Sequence, residues 1–113
     1  MTPRRGERVA PPPGAGEWDV RFATNEAAQG WEELSRRSPG PLRDCWLALR
    51  NRPTQPTNPA RQHRLHRSLA DRSLGGRLLP QWQYEVTGAT RVWYCIDAAA
   101  GTVWVTHAAP GHP

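Results

Sequence analysis

Residues 81–107, QWQYEVTGATRVWYCIDAAAGTVWVTH, decide the fold. Apolar and polar residues alternate through most of this stretch, and turn-forming residues interrupt the alternation at residues 87–90 and around Gly101. Alternation is the period of a half-buried strand. The stretch therefore predicts three strands, at residues 81–86, 91–97 and 102–107. Because the connections are short, we expect these strands to form an antiparallel meander.

The alternation also predicts which side chains share a face of the sheet. One face should be apolar and buried, and it contains Trp82, Tyr84, Val86, Val92, Tyr94, Ile96, Val103, Val105 and His107. The other face contains Gln81, Gln83, Glu85, Arg91, Trp93 and Cys95, together with Trp104. We expect this second face to be open for a ligand.

Upstream of the meander, the pattern changes from strand to helix. Residues 18–22 alternate like a strand. Apolar residues then recur at helical spacing from Ala27 to Leu34 and from Leu42 to Leu49, with a break at Pro39-Gly40. The predicted order is β-α-α-β-β-β. This order indicates an α+β single domain with a mainly antiparallel curved sheet and a helical hairpin on one face.

Two other segments have compositions unlike that of the domain. Residues 1–16 are rich in Pro, Gly and Arg and poor in apolar residues, which predicts a disordered arm preceding a domain at residues 17–113. Pro53, Pro56 and Pro59 predict a loop that leads into the basic residues 61–67.

Charge is concentrated in one part of the chain. All 15 basic residues are arginine, there is no lysine, and the net charge is +5. Residues 50–77 alone hold seven arginines and a single acid, Asp71, for a local charge of +6. Codon bias can enrich arginine over lysine, but it would spread the arginines evenly. The clustering favours binding of nucleic acid or of an acidic protein.

Several classes of protein are not indicated. No apolar run approaches the ~20 residues of a membrane span, and the N-terminus lacks the apolar stretch of a secretory signal, so we expect a cytoplasmic protein without membrane contact. We expect Cys45 and Cys95 to be small core residues rather than parts of a disulfide scaffold. His63 and His66 stand three residues apart, but no cysteine or carboxylate cluster completes a metal site around them.

Three motifs follow one another in the last part of the chain: Trp82-Gln83-Tyr84-Glu85, then Arg91-Val92-Trp93-Tyr94 with Asp97 three residues on, then Val105-Thr106-His107. In these motifs the chain resembles the RelE/ParE superfamily of type II toxins, particularly its HigB-like branch. Residues 61–69 stand where such toxins have a Leu-Lys-Gly-Leu loop. Leu65 and Leu69 match its leucines, and Arg67 replaces its glycine. The family's arginine at the end of the tryptophan strand is Glu85 here, and its lysine pair beyond His107 is absent.

This resemblance implies a RelE-like fold and a cytoplasmic toxin that cleaves messenger RNA on the ribosome without a metal or small-molecule cofactor. It also implies a cognate antitoxin protein as partner. The substitutions at Glu85 and after His107 favour an alternative, a non-catalytic inhibitor on the same fold, similar to the gyrase-directed relatives. A degenerate member that retains only antitoxin binding is a third alternative.

RNA cleavage needs cations at the phosphate and groups that transfer protons, and arginine can supply only the cations. The resemblance assigns Arg91 to the scissile phosphate and His107 to proton transfer. The simpler alternatives are an Arg91–Glu85 ion pair and a strand-end histidine hydrogen-bonded to a loop. The expected RNA contacts are Arg61, Arg64, Arg67, Arg77 and Trp93. Trp93, like Trp104, would stack on a base or be covered by the antitoxin.

Overall fold

A computed structural model describes residues 3–9 and 11–110. Two α-helices and six strands lie in this part of the chain: β1 Asp19–Phe22, α1 Asn25–Arg37, α2 Pro39–Asn51, β2 Gln62–Arg64, β3 Asp71–Leu74, β4 Arg77–Thr87, β5 Thr90–Asp97 and β6 Thr102–Pro110. Single 3₁₀ turns lie at Arg67–Leu69 and Ala98–Ala100. The fold is an α+β single domain, as the sequence pattern predicts.

Local sequence signals explain both helices. The hydroxyl of Thr24 accepts a hydrogen bond of 3.0 Å from the amide of Ala27 and caps α1. Only Ser38 separates α1 from α2, and Pro39 suits the first position of α2 because proline lacks the amide hydrogen that would have no partner there. Pro53 follows the end of α2. The two predicted helices are confirmed, but the predicted break at Pro39-Gly40 is wrong, because these residues form the first turn of α2 and Ser38 is the break.

The sheet has the strand order β1-β6-β5-β4-β2, and β3 also pairs with β4. β1 runs parallel to β6, and the other pairs are antiparallel. The predicted meander is β4-β5-β6. Both helices pack on one face of the sheet, and the core between them includes Leu34, Leu49, Val86, Val92, Tyr94, Val103 and Val105.

The segment predicted as a loop around residues 61–67 instead forms part of a sheet edge. Residues 62–64 pair with residues 82–84 of β4, and residues 71–74 pair with residues 77–80. Residues 65–70 leave the edge between these two pairings. The Gly75-Gly76 turn, with both φ angles positive, joins β3 to β4. The sequence pattern did not predict β3, because residues 71–74 lack the alternation of apolar and polar residues that indicates a strand.

Residues 3–9 and 11–16, which the sequence pattern predicts as part of a disordered arm, include residues that form hydrogen bonds with the domain. The Val9 amide donates to the Val20 carbonyl at 2.7 Å, and the Gly6 amide donates to that of Phe22 at 2.7 Å. These bonds satisfy the outer edge of β1. The guanidinium of Arg50 donates to the carbonyls of Pro11 and Pro12. Residues 1, 2 and 10 lie outside the described residues.

A β-bulge in β6 changes the predicted facing of His107. Trp93 pairs with His107, whereas the next residue, Tyr94, pairs with Val105, so Thr106 is an extra residue in β6. Strict alternation would put His107 in the core with Val105. The bulge instead brings it beside Trp93 on the opposite face, so the prediction that His107 shares the apolar face is wrong.

Candidate functional site

The sheet face opposite the helices carries most of the polar side chains of the sheet, and we call it the polar face. Its residues from β4 are Gln81, Gln83 and Glu85, those from β5 are Arg91, Trp93, Cys95 and Asp97, and those from β6 are Trp104, Thr106 and His107. Cross-strand hydrogen bonds join these side chains to one another. Three predicted site residues, Arg91, Trp93 and His107, therefore lie on one surface.

Trp93 occupies the middle of the polar face. Its indole N–H donates to Oε1 of Gln83 at 2.9 Å, and its ring lies 5.5 Å from the His107 ring, centroid to centroid. The side chain is only 8% exposed. The prediction that Trp93 faces away from the helices is confirmed. In this conformation, however, its ring has no open face on which a base could stack, which argues against the predicted stacking role.

Gln81 is a buried polar residue that the sequence pattern did not single out. Its Oε1 accepts a hydrogen bond of 2.9 Å from the Thr106 hydroxyl, and its Nε2 donates to the Leu69 carbonyl at 3.0 Å. Gln81 thus ties residues 65–70 to the polar face beside the bulge. A glutamine at an outward-facing strand position gives no sequence signal of burial.

The surroundings of His107 favour the neutral form of its imidazole. Burial lowers the pKa of its imidazole below the ordinary 6.5, and the positive charge of Arg72 lowers it further. The Nε2 atom is buried and has no hydrogen-bond partner among residues 3–9 and 11–110. A neutral imidazole has the lone pair that a general base needs, but Nε2 is covered in this conformation.

Arg91 lies on β5 two residues before Trp93, on the same polar face. Its Nη2 is 3.2 Å from Oε1 of Glu85, directly opposite on β4, so the ion pair expected from the sequence is present. Its Nη1 also donates to the carbonyls of Thr87, Gly88 and Thr90. Arg91 and His107 are diagonal neighbours on β5 and β6. Residues in this relation lie about 7–8 Å apart, measured between their Cα atoms.

Arg61 lies beside this ion pair, at the edge of β4. Its Nη1 donates to the carbonyl of Glu85 at 3.1 Å, and its own carbonyl accepts from the Glu85 amide at 2.8 Å. Arg61, Glu85 and Arg91 form a cluster that we call the Glu85 end of the polar face. Two cations and a carboxylate that is 33% exposed are thereby brought together.

Arg64 is the last residue of β2, and Arg67 lies on the segment that leaves the sheet edge after it. Arg64 donates to the Ala70 carbonyl at 3.0 Å and lies 3.6 Å from Asp71, so it stabilises that segment. Arg67 is exposed, and its φ of 58° is in the left-handed region that favours glycine. It makes no ion pair with the described residues. Arg67 is therefore free to contact a ligand.

Arg77 lies far from the other predicted site residues. It lies at the opposite end of β4 from Glu85. There, its Nη1 and Nη2 both donate hydrogen bonds to the carboxylate of Asp97 on β5. Eight residues of β4 separate Arg77 from Glu85, which corresponds to about 26 Å at ~3.3 Å per residue. The structure thus divides the predicted RNA contacts between two ends of the polar face.

The described part of the chain contains neither a cluster of metal-binding side chains nor a helix that could span a membrane. No group of three or more His, Cys, Asp or Glu side chains there could hold a metal ion. Neither α1 nor α2 has the length and apolar character to cross a membrane. Cys45 and Cys95 are free and buried, and burial raises the pKa of both thiols, that of Cys95 to about 12.

No protein-family profile, curated protein or solved structure matches this chain at significance. The resemblance to RelE/ParE toxins therefore stays a prediction that rests on the sequence motifs. The arguments about function that follow depend on the geometry of the polar face.

Proposed function

We propose that the protein binds single-stranded RNA at the Glu85 end of the polar face and cleaves it as a toxin-type endoribonuclease. The observation that carries the proposal is the position of Arg91 and His107 as diagonal neighbours on one face, beside the basic residues 61–72. The motifs shared with RelE/ParE toxins favour the same function. An antitoxin encoded with the toxin would cover this face.

The chemistry assigns a role to each group at this end. Arg91 and Arg61 would offset the negative charge that develops on the phosphate as the 2′-oxygen attacks phosphorus and the bond to the 5′-oxygen breaks. One group must accept the proton of the 2′-hydroxyl, and another must donate a proton to the departing 5′-oxygen. His107, the neutral imidazole one row away, would accept the proton of the 2′-hydroxyl, and the departing 5′-oxygen would take its proton from water. Glu85, the accessible carboxylate beside Arg91, would hold the Arg91 guanidinium in place for the phosphate.

A non-catalytic inhibitor is the second candidate, and one observation favours it. Nε2 of His107 is covered, and the neighbouring Trp93 ring is buried, so proton transfer by His107 would require these rings to move apart. An inhibitor that only binds RNA or protein needs no such rearrangement. The basic residues 61–72 would serve it equally well.

The test is induced expression in a bacterial host, with growth recorded and RNA ends mapped across the transcriptome. The variants are Arg91→Gln, Glu85→Gln and His107→Gln. Arg36→Gln is the matched control, because Arg36 is an exposed arginine on α1, paired with Glu32 on the helical side of the sheet. The endoribonuclease predicts growth arrest with new RNA ends, both lost in Arg91→Gln and retained in Arg36→Gln.

Arrest without new ends would replace cleavage with inhibition by binding, and absence of arrest would contradict both. Arg91 is partly buried, so its loss could also unfold the protein. Thermal unfolding of each purified variant separates the two effects, and Arg61→Gln, at an exposed side chain, provides an independent test of the same cluster.

A further inference from the structure

A cavity of about 500 Å³ lies at the other end of the polar face, away from Glu85 and Arg91. It is formed between the N-terminal segment and the β3-β4 turn. The residues that give it chemical character are Trp104, Arg77 and Arg5, and Gly75 and Leu74 complete the wall beside the turn. None of these residues belongs to the Glu85 end.

A buried carboxylate, that of Asp97, holds the Arg77 side chain that lines this cavity. This carboxylate is 2% exposed, and it accepts two hydrogen bonds from Arg77 and one of 3.3 Å from the Ala100 amide. The hydrogen bonds from Arg77 and from the Ala100 amide hold the pKa of Asp97 below its usual range, against the opposing effect of burial. The buried carboxylate of Asp97 therefore orients the Arg77 guanidinium.

The side chains of Arg77 and Trp104 are both accessible. The Arg77 side chain is 54% exposed despite its contact with Asp97, and Trp104 is half-buried. Arg5 adds a second guanidinium on an exposed residue, and the backbone of Arg5 is held by the bond of 2.8 Å from its amide to the Asn25 side chain. Arg5 makes no ion pair within the described ranges 3–9 and 11–110, so its charge is available.

We propose that this cavity binds a nucleotide, with the base stacked on Trp104 and the phosphate held by Arg5 and Arg77. An aromatic ring face binds a base of any sequence, and planar guanidinium groups match the geometry of phosphate oxygens. The ligand is either a free nucleotide or one unit of a single-stranded RNA. The site uses neither Arg91 nor His107, so it does not depend on the proposed cleavage.

The experiment is calorimetric titration of the full chain with AMP, adenosine and inorganic phosphate as separate probes. A charge-assisted contact predicts that AMP binds at least about tenfold more tightly than either adenosine or phosphate. Loss of stacking in Trp104→Leu should weaken AMP binding by about 5- to 150-fold, whereas Trp104→Phe should retain most of it. Arg5→Gln should weaken binding of AMP but not of adenosine.

Arg36→Gln serves again as the control variant, and thermal unfolding shows whether Trp104→Leu is folded. AMP binding no tighter than adenosine binding would overturn the proposal. So would AMP binding unchanged in both Trp104→Leu and Arg5→Gln. Competition between AMP and a ten-nucleotide single-stranded RNA identifies RNA as the natural source of the nucleotide. Retained AMP binding without competition identifies a free nucleotide, whatever the outcome of the cleavage test.

Discussion

Substitution of Gly30 by alanine tests the contact that holds α1 on the sheet. A Cβ at Gly30 would lie 1.7 Å from the carbonyl oxygen of Ala108 in β6 and 2.8 Å from its carbon. Real Cβ contacts are essentially never closer than 3.0 Å, so the two backbones would have to separate by about 1.3 Å. Ala108 is paired with Val92 of β5 and is buried, so it cannot move alone.

The expected cost follows from two opposing effects. Overpacking of a well-packed contact costs about 1–3 kcal/mol, and a backbone obstacle favours the upper end of that range. Replacing glycine by alanine inside a helix gains about 1 kcal/mol. We therefore expect Gly30→Ala to lower the free energy of unfolding by about 2 kcal/mol. For a domain of this size, that corresponds to a fall in Tm of roughly 8 °C.

Gly40→Ala is the matched control, because Gly40 is also helical and no atom lies within 4 Å of the position that a Cβ would take there. Thermal and urea unfolding of both variants, followed by circular dichroism, give the comparison. Gly40→Ala should be as stable as wild type or more so. A Gly30→Ala protein as stable as Gly40→Ala would refute the close approach of α1 to β6.

Three further predictions concern single side chains. The pKa of His107, measured by NMR titration, should lie below 6.5, and Arg72→Gln should raise it only part of the way, because burial is the larger cause. The His107 side chain then binds a proton more readily in the unfolded chain than in the folded protein. The free energy of unfolding, measured in urea, should therefore fall as the pH drops below about 6.5. Arg67→Gly should be at least as stable as Arg67→Ala in thermal unfolding, because it relieves about 1 kcal/mol of left-handed strain. Arg50→Gln, which removes the bonds to Pro11, Pro12 and Glu17, should cost on the order of 2 kcal/mol and speed amide exchange at Val9.

The periodic parts of the sequence predicted the elements that bury an apolar face. The helical spacing through Trp31 and Leu49 and the alternation through Tyr84 and Tyr94 each place buried side chains at fixed intervals. β3 has no such face, since its burial alternates only between exposed and intermediate. Its one signal was the Gly75-Gly76 pair, a composition typical of two-residue hairpin turns.

Other features depend on contacts that composition does not record. The N-terminal segment has few apolar residues, and its position is set by backbone bonds to β1 and by Arg50. The bulge at Thr106 is likewise invisible to an alternation rule, because one extra residue reverses the facing of every residue after it. His107 therefore lies beside Trp93 because of a bulge that the sequence pattern does not indicate.

The arginines of the polar face differ in whether their charge is offset. Arg91 and Arg77 each contact a carboxylate, Glu85 and Asp97 respectively, so their fields cancel at a distance and what remains is a fixed hydrogen-bonding geometry. Arg67 and Arg72 make no ion pair with any residue in the described ranges, so they supply the long-range attraction for a polyanion. Arg67 and Arg72 therefore attract the polyanion, whereas Arg91 and Arg77 offer fixed hydrogen-bond donors that position it. Because the charge of a paired arginine is already offset, the salt dependence of RNA binding should follow the unpaired Arg67 and Arg72, whereas RNA cleavage should follow Arg91.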